Sequence, residues 1–283
     1  MGPHAVDVTA NLVVAALRPL TLGIGLDQAM QRWLEQAGDI RLHWLECDGG
    51  RTLGVLRLRR PQVWQAAGAH IGLFQIESGE HRCLPWPHRT WNRWLQARAM
   101  FKQRKAENLW MPPHAAEQLM VFYICPRPVV LVSVEAEGHS NIFPMDLIGT
   151  IEPGLFTLAL RSTSISIPTL RTGREAALSS ASASERALVY RLGTHHKEPL
   201  VDWRELPFAV VRSSRLSLPV PANALRVREL AIVDYREIGS HTLFAARVLT
   251  DQHGQTGQQL HHTSGFHQDF RVRHGRPFPM AAS

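Results

Sequence analysis

Five hydroxyls fall within eight residues of this chain: Ser162, Thr163, Ser164, Ser166 and Thr169, with Arg161 directly before them. They follow Leu155-Phe-Thr-Leu-Ala-Leu160, an apolar run that reads as a strand. Hydroxyls, backbone N–H groups and a guanidinium at a strand end form a donor set that can hold a phosphate. The same residues also make an ordinary polar loop, and spacing alone leaves both readings open.

Two further segments stand just upstream. Val129 to Ser133 is almost wholly Val and Leu, the pattern of a strand buried on both faces. Glu135-Ala-Glu-Gly138 reads as a turn. Asn141-Ile-Phe-Pro-Met-Asp146 follows, and Pro144 argues against a regular ladder there.

Other chemistry is less well supported. The chain lacks the dinucleotide fingerprint, the P-loop and the nucleophile-elbow pattern. Its three cysteines, Cys47, Cys83 and Cys125, show no metal spacing and read as free thiols of a reducing cytosol. Fifteen histidines include the adjacent pairs His195-His196 and His261-His262. Neighbouring side chains on a strand point to opposite faces, so no metal site is expected. Lys102, Lys105 and Lys197 are the only lysines among 31 basic residues.

The elements that must position these groups can be read from periodicity. Residues 26–37 have helical spacing, bounded by Asp27 and Gly38. Ile40 to Glu46 and Thr52 to Leu58 alternate around Asp48-Gly-Gly50, a hairpin pattern, and Gly72 to Glu77 reads as another strand. Residues 88–107 read as a basic helix. Its Trp91, Trp94, Leu95 and Phe101 are placed against the following domain, and Trp110-Met-Pro-Pro113 marks the boundary. Ala224 to Tyr235 and His241 to Thr250 read as long strands. No internal repeat is visible. The run Leu12 to Leu17 is too short to cross a membrane and lacks a signal peptide's basic start, so a cytoplasmic location is expected. The net charge of +7 permits anionic ligands without identifying them.

Taken in order, Arg127-Pro-Val-Val-Leu-Val-Ser133, Asn141-x-x-Pro-Met145 and the Arg161 to Gly173 stretch resemble the flavin reductase-like, FMN-binding split-barrel family. Ile238-Gly-Ser-His241-Thr-Leu-Phe-Ala-Ala-Arg-Val248 is similar to that family's Gly-x-His strand. The resemblance spans roughly residues 118 to 270, with departures at Asp146, Ser240 and Ala246.

The resemblance implies a mainly β (α+β) chain: an antiparallel split β-barrel at 111–283, with an N-terminal α/β extension at 1–110 whose family is unassigned. It implies FMN as cofactor, with Asn141, Phe143, Pro144 and Met145 along the ring. Arg161, Ser162, Thr163, Ser164, Ser166 and Thr169 would stand near the phosphate, and Lys197 would neutralise it. His241 would stand near the flavin and an incoming NADH or NADPH. His262 and Arg271 are candidates to close the cleft. A homodimer is implied, without membrane attachment, and nucleic-acid binding is not expected. The implied activity is hydride transfer from NAD(P)H to FMN. The alternatives are an FMN-retaining redox enzyme of specialised metabolism, or a non-catalytic flavin- or haem-binding protein.

Overall fold

A computed structural model describes residues 5–46, 50–102, 111–136, 138–197 and 201–276. The N-terminal part opens with a hairpin of β1 (Leu12–Leu17) and β2 (Leu20–Leu26), buried almost throughout. The short apolar run is thus a strand covered on both faces. α1 (Gln28–Gln36) follows, capped by Asp27, whose carboxylate accepts from the Met30 N–H at 2.7 Å. β3 (Ile40–Leu45) and β4 (Thr52–Leu58) pair as their alternation predicts; most of the turn residues between them lie outside the described residues. β5 (Gln62–Ala66) turns into β6 (Ala69–His81), much longer than the strand expected from Gly72. The strand order is β1-β2-β6-β4-β3, with β5 also paired to β6.

α2 (Trp86–Lys102) departs from expectation. Its indoles do not pack on the barrel: Trp91 is 61% exposed and Trp94 51%. They stack on each other at 5.2 Å instead. The helix is fastened at its start, where Arg89 bonds Glu80 at 2.8 Å and the His81 carbonyl at 3.1 Å. Residues 103–107 of the expected helix, and the Phe101 side chain, lie outside the described residues.

α3 (Pro113–Phe122) leads into β7 (Arg127–Pro128), β8 (Val130–Ala136), β9 (His139–Met145), β10 (Ile148–Glu152) and β11 (Leu155–Arg161). α4 (Ser166–Gly173), β12 (Glu175–Ser180), α5 (Arg186–Arg191) and a 3-10 segment, Leu192–Lys197, come next. The short β13 (Val210–Arg212) and β14 (Pro219–Pro221) precede the long hairpin of β15 (Arg226–Ile238) and β16 (His241–His253). β17 (His261–His262), paired with β7, and α6 (Gly265–Arg273) end the described chain.

Seven of these strands form one antiparallel sheet, ordered β10-β11-β16-β15-β12-β8-β9. Pro144 does lie inside a ladder, opposite Leu131. β9 is the edge strand, and there a missing N–H costs no partner. Side chains from all seven strands and α4 meet in one apolar interior, including Val132, Phe143, Ile148, Leu158, Leu170, Leu178, Leu230 and Phe244. Both edge strands, β9 and β10, feed that interior without pairing to each other. The sheet therefore wraps one core without closing, as a split barrel does, and the chain is mainly β with an N-terminal α/β extension.

The extension and the barrel share further clusters. Val13, Ala15 and Ile71 pack with Ile151, Leu155, Ala159, Leu243 and Ala245. Phe122, Tyr123 and Ile124 join the core of the N-terminal sheet. Glu229 of β15 fixes the loop after β13. Burial alone would raise its carboxyl, but Ser213, the Leu216 N–H, Thr250 and Ser214 all donate to it and bring it down to about 2.

Candidate functional site

Asn141 on β9 is the node of the site. It is fully buried, and its Nδ2 donates to Ser166 Oγ at 3.0 Å and to the His195 carbonyl at 2.8 Å. One side chain thus joins β9, the start of α4 and the 3-10 segment. Among the described residues its buried Oδ1 has no hydrogen-bond partner, an acceptor that a folded protein seldom leaves unused. His195 returns the tie, with Nδ1 2.9 Å from the Ile142 carbonyl. Sequence reasoning passed over His195 because adjacent histidines gave no chelate geometry.

Phe143 and Met145 point inward, 0% and 6% exposed in the barrel core. Only their backbone can face a ligand. Pro144 alternates to the other side and is half-buried.

The β11–α4 connection carries the hydroxyls. Arg161, Ser162 and Thr163 are exposed, while Ser164, Ser166 and Thr169 are buried. Ser164 closes the turn: its N–H donates to the Arg161 carbonyl at 2.8 Å, and its Oγ accepts from the Ser166 N–H at 3.4 Å. The first N–H groups of α4 are spent within this turn: Ser166 on Ser164 Oγ and Ile167 on the Ser164 carbonyl at 3.2 Å, while Pro168 has none. What this connection offers a ligand is the exposed side chains of Arg161, Ser162 and Thr163. Lys197 ends the 3-10 segment that His195 anchors, but its side chain lies outside the described residues.

His241 opens β16, directly opposite Arg161. The Ser162 N–H donates to the Ser240 carbonyl at 3.0 Å, so the hydroxyl loop and the Gly239-Ser240 turn are tied. His241 itself is 1% exposed. Burial, and secondarily the Arg161 charge, bring its pKa down to about 4, leaving a neutral ring at pH 7. Its Nδ1 lies 2.8 Å from Ser240 Oγ and accepts from the Leu17 N–H at 3.4 Å. The Ser240 N–H donates to the Arg18 carbonyl at 2.8 Å. The β1–β2 turn therefore covers the His241 end of the site.

A second cluster follows Met145. Asp146 Oδ2 accepts from the Tyr123 hydroxyl at 2.7 Å and lies 2.6 Å from His262 Nδ1. The Tyr123 and His262 rings stack at 4.1 Å. Burial, reinforced by the Asp146 charge, holds the Tyr123 hydroxyl well above the ordinary phenol range. His262 thus touches the end of the Asn141 segment, whereas Arg271 bonds the Arg276 carbonyl at 2.7 Å. Nothing in the sequence spacing linked Tyr123, Asp146 and His262, which come from three separate elements. Among the described residues no group of three His, Cys, Asp or Glu is placed to hold a metal.

This fold and this site define a class. The flavin reductase like domain matches residues 122–268, just over half of the chain, and the chain belongs to that family. Similar solved structures include the flavin reductase component of a bacterial two-component tryptophan halogenase, with 17% identity and a TM-score of 0.48. That alignment covers 53% of this chain and 94% of the other. The NADH:FAD oxidoreductase of Streptomyces globisporus C-1027 aligns at 20% identity and TM-score 0.49, over 57% of this chain and 95% of the other. An FMN-binding protein from Thermus thermophilus aligns at 20% identity and TM-score 0.45, over 57% and 93%. No curated protein matches the chain. Among the described residues no helix is long and apolar enough to cross a membrane.

Proposed function

We propose that this member of the flavin reductase-like family binds FMN and passes hydride to it from NADH or NADPH. The observation that carries the reading is the exposed run Arg161, Ser162 and Thr163 between β11 and α4. That donor set suits a dianionic phosphate. The buried Oδ1 of Asn141, without a hydrogen-bond partner among the described residues, adds an acceptor beside the start of α4. FMN, when bound, supplies the hydride-accepting ring; the protein supplies binding, orientation and electrostatics.

Each residue then has a task. Arg161, Ser162 and Thr163 hold the phosphate, with Lys197 adding charge. Ser164, Ser166 and Thr169 shape the turn that presents these side chains. Asn141 locks that turn to β9, whose backbone from Phe143 to Met145 lies along the ring. His241 stays neutral and lines the nicotinamide side as a hydrogen-bonding group.

Dissociation constants for FMN and FAD at one salt concentration, with NAD(P)H consumption followed with and without added flavin, test the reading. Tighter FMN binding and flavin-dependent consumption are the expected results. An absence of flavin binding overturns it.

A further inference from the structure

The N-terminal sheet repeats the barrel's strand order. β1-β2-β6-β4-β3 follows the same path as β10-β11-β16-β15-β12. In each, a hairpin with a β-bulge leads to a helix, then to the far strand, and then back to a long central strand. Element lengths agree closely. β2 and β11 have seven residues each, β3 and β12 six each, and β6 and β16 thirteen each. α1 has nine residues and α4 eight. β4 and β5 together pair along β6 as the bulged β15 pairs along β16.

Register agrees too. Leu26 pairs with His70 at the end of β2, where Arg161 pairs with His241 at the end of β11. Both histidines follow a glycine by two residues, in Gly68-Ala-His70 and Gly239-Ser-His241.

The two units also meet reciprocally. A Cβ on Gly25 of β2 would stand 2.1 Å from the Ile151 carbonyl of β10, and one on Gly149 of β10 would stand 2.3 Å from Val13 of β1. The Ser240 N–H of the β15–β16 turn donates to Arg18 in the β1–β2 turn. Arg247, beside the β10–β11 turn, donates to the Ala67 carbonyl in the β5–β6 turn. Pairs in which element i meets j and the counterpart of j meets the counterpart of i are the mark of a two-fold interface.

We propose that residues 12–81 are a degenerate second copy of the unit formed by 148–253. Fused in cis, this copy serves as a built-in partner, so the chain is a monomer with one ligand site. The N-terminal copy has lost its site. The sheet path ends at β3, with no counterpart of the β8–β9 hairpin and so none of Asn141, among the described residues. At the start of α1, Asp27 stands where α4 has Ile165, and its carboxylate puts a negative charge where an anion would have to bind.

The ligand count rests on the flavin reading; the partner does not. Light scattering on the full chain at micromolar concentration should give one species of 31.8 kDa. A stable species of twice that mass overturns the built-in partner. Calorimetric titration with FMN should saturate at one equivalent per chain. Two equivalents overturn the loss of the N-terminal site. If no FMN binds, the flavin reading fails, and the solution mass alone decides the fusion.

Discussion

Arg161 is the side chain on which the phosphate reading turns. It ends β11, is exposed, and opens the hydroxyl loop that leads into α4. Replacing it with Ala removes one charge-assisted contact, so FMN affinity should fall about 10- to 100-fold. Riboflavin, which lacks the phosphate, should bind the variant nearly as well as it binds the native protein. Equal loss for both ligands would place Arg161 at the ring or in folding. The buried histidines make a second claim. Burial brings His81 down to about 3 and His241 to about 4, both from 6.5. Unfolding lets each ring take up a proton that the folded protein refuses. Stability is therefore complete above pH 6.5 and is lost as pH falls through the window towards 4 for His241 and 3 for His81. Between pH 6.5 and 5 the loss is roughly 2 kcal/mol for each ring. Urea titrations at pH 7.5 and pH 5 measure it, and a His81→Gln variant that still folds should show a flatter pH dependence. An unchanged midpoint between the two pH values would contradict the buried, neutral placement.

Among elements, the contact between β2 and β10 is the tightest test of how the two sheets sit. No Cβ fits at Gly25, because the Ile151 carbonyl occupies its place. Gly25→Ala must push backbone from backbone and should cost about 2 kcal/mol or more. Gly38→Ala, with nothing within 4 Å, should be neutral in the same thermal melts. Most elements were legible in the sequence for plain reasons. Val130, Val132 and Val134 enter the barrel core while Leu131 faces a second cluster, which is what an uninterrupted Val/Leu run encodes. Asp27 announced its helix by capping it. Pro144 misled because its meaning depends on whether a strand is central or at an edge, a fact of topology. Trp91 and Trp94 misled because indoles at helical spacing imply a partner surface, and here each serves the other.

At the scale of the whole molecule, the order of four short motifs was enough to place the family, and none of it spoke for the first hundred residues. The repeat there is invisible in sequence because strand order and register persist when side chains do not. Only Gly68-Ala-His70 and Gly239-Ser-His241 keep a common trace. The candidate site was half legible. The hydroxyl loop and Asn141 were readable as types, whereas the covering of His241 by Leu17 and Arg18 depends on contacts across more than two hundred residues. Removing the extension should show what it covers. A chain beginning at Met111 uncovers the apolar faces of β10, β11 and β16, including Ile151, Leu155 and Leu243. It should then self-associate in gel filtration. A truncated chain that stays a soluble monomer would contradict the assigned packing. The central claim, that this chain holds FMN for reduction by a nicotinamide, is tested most directly by an anaerobic absorbance titration. The protein with one equivalent of FMN should show a perturbed flavin spectrum that bleaches on addition of NADH or NADPH. A flavin spectrum identical to that of free FMN, unchanged by either nicotinamide, would contradict it.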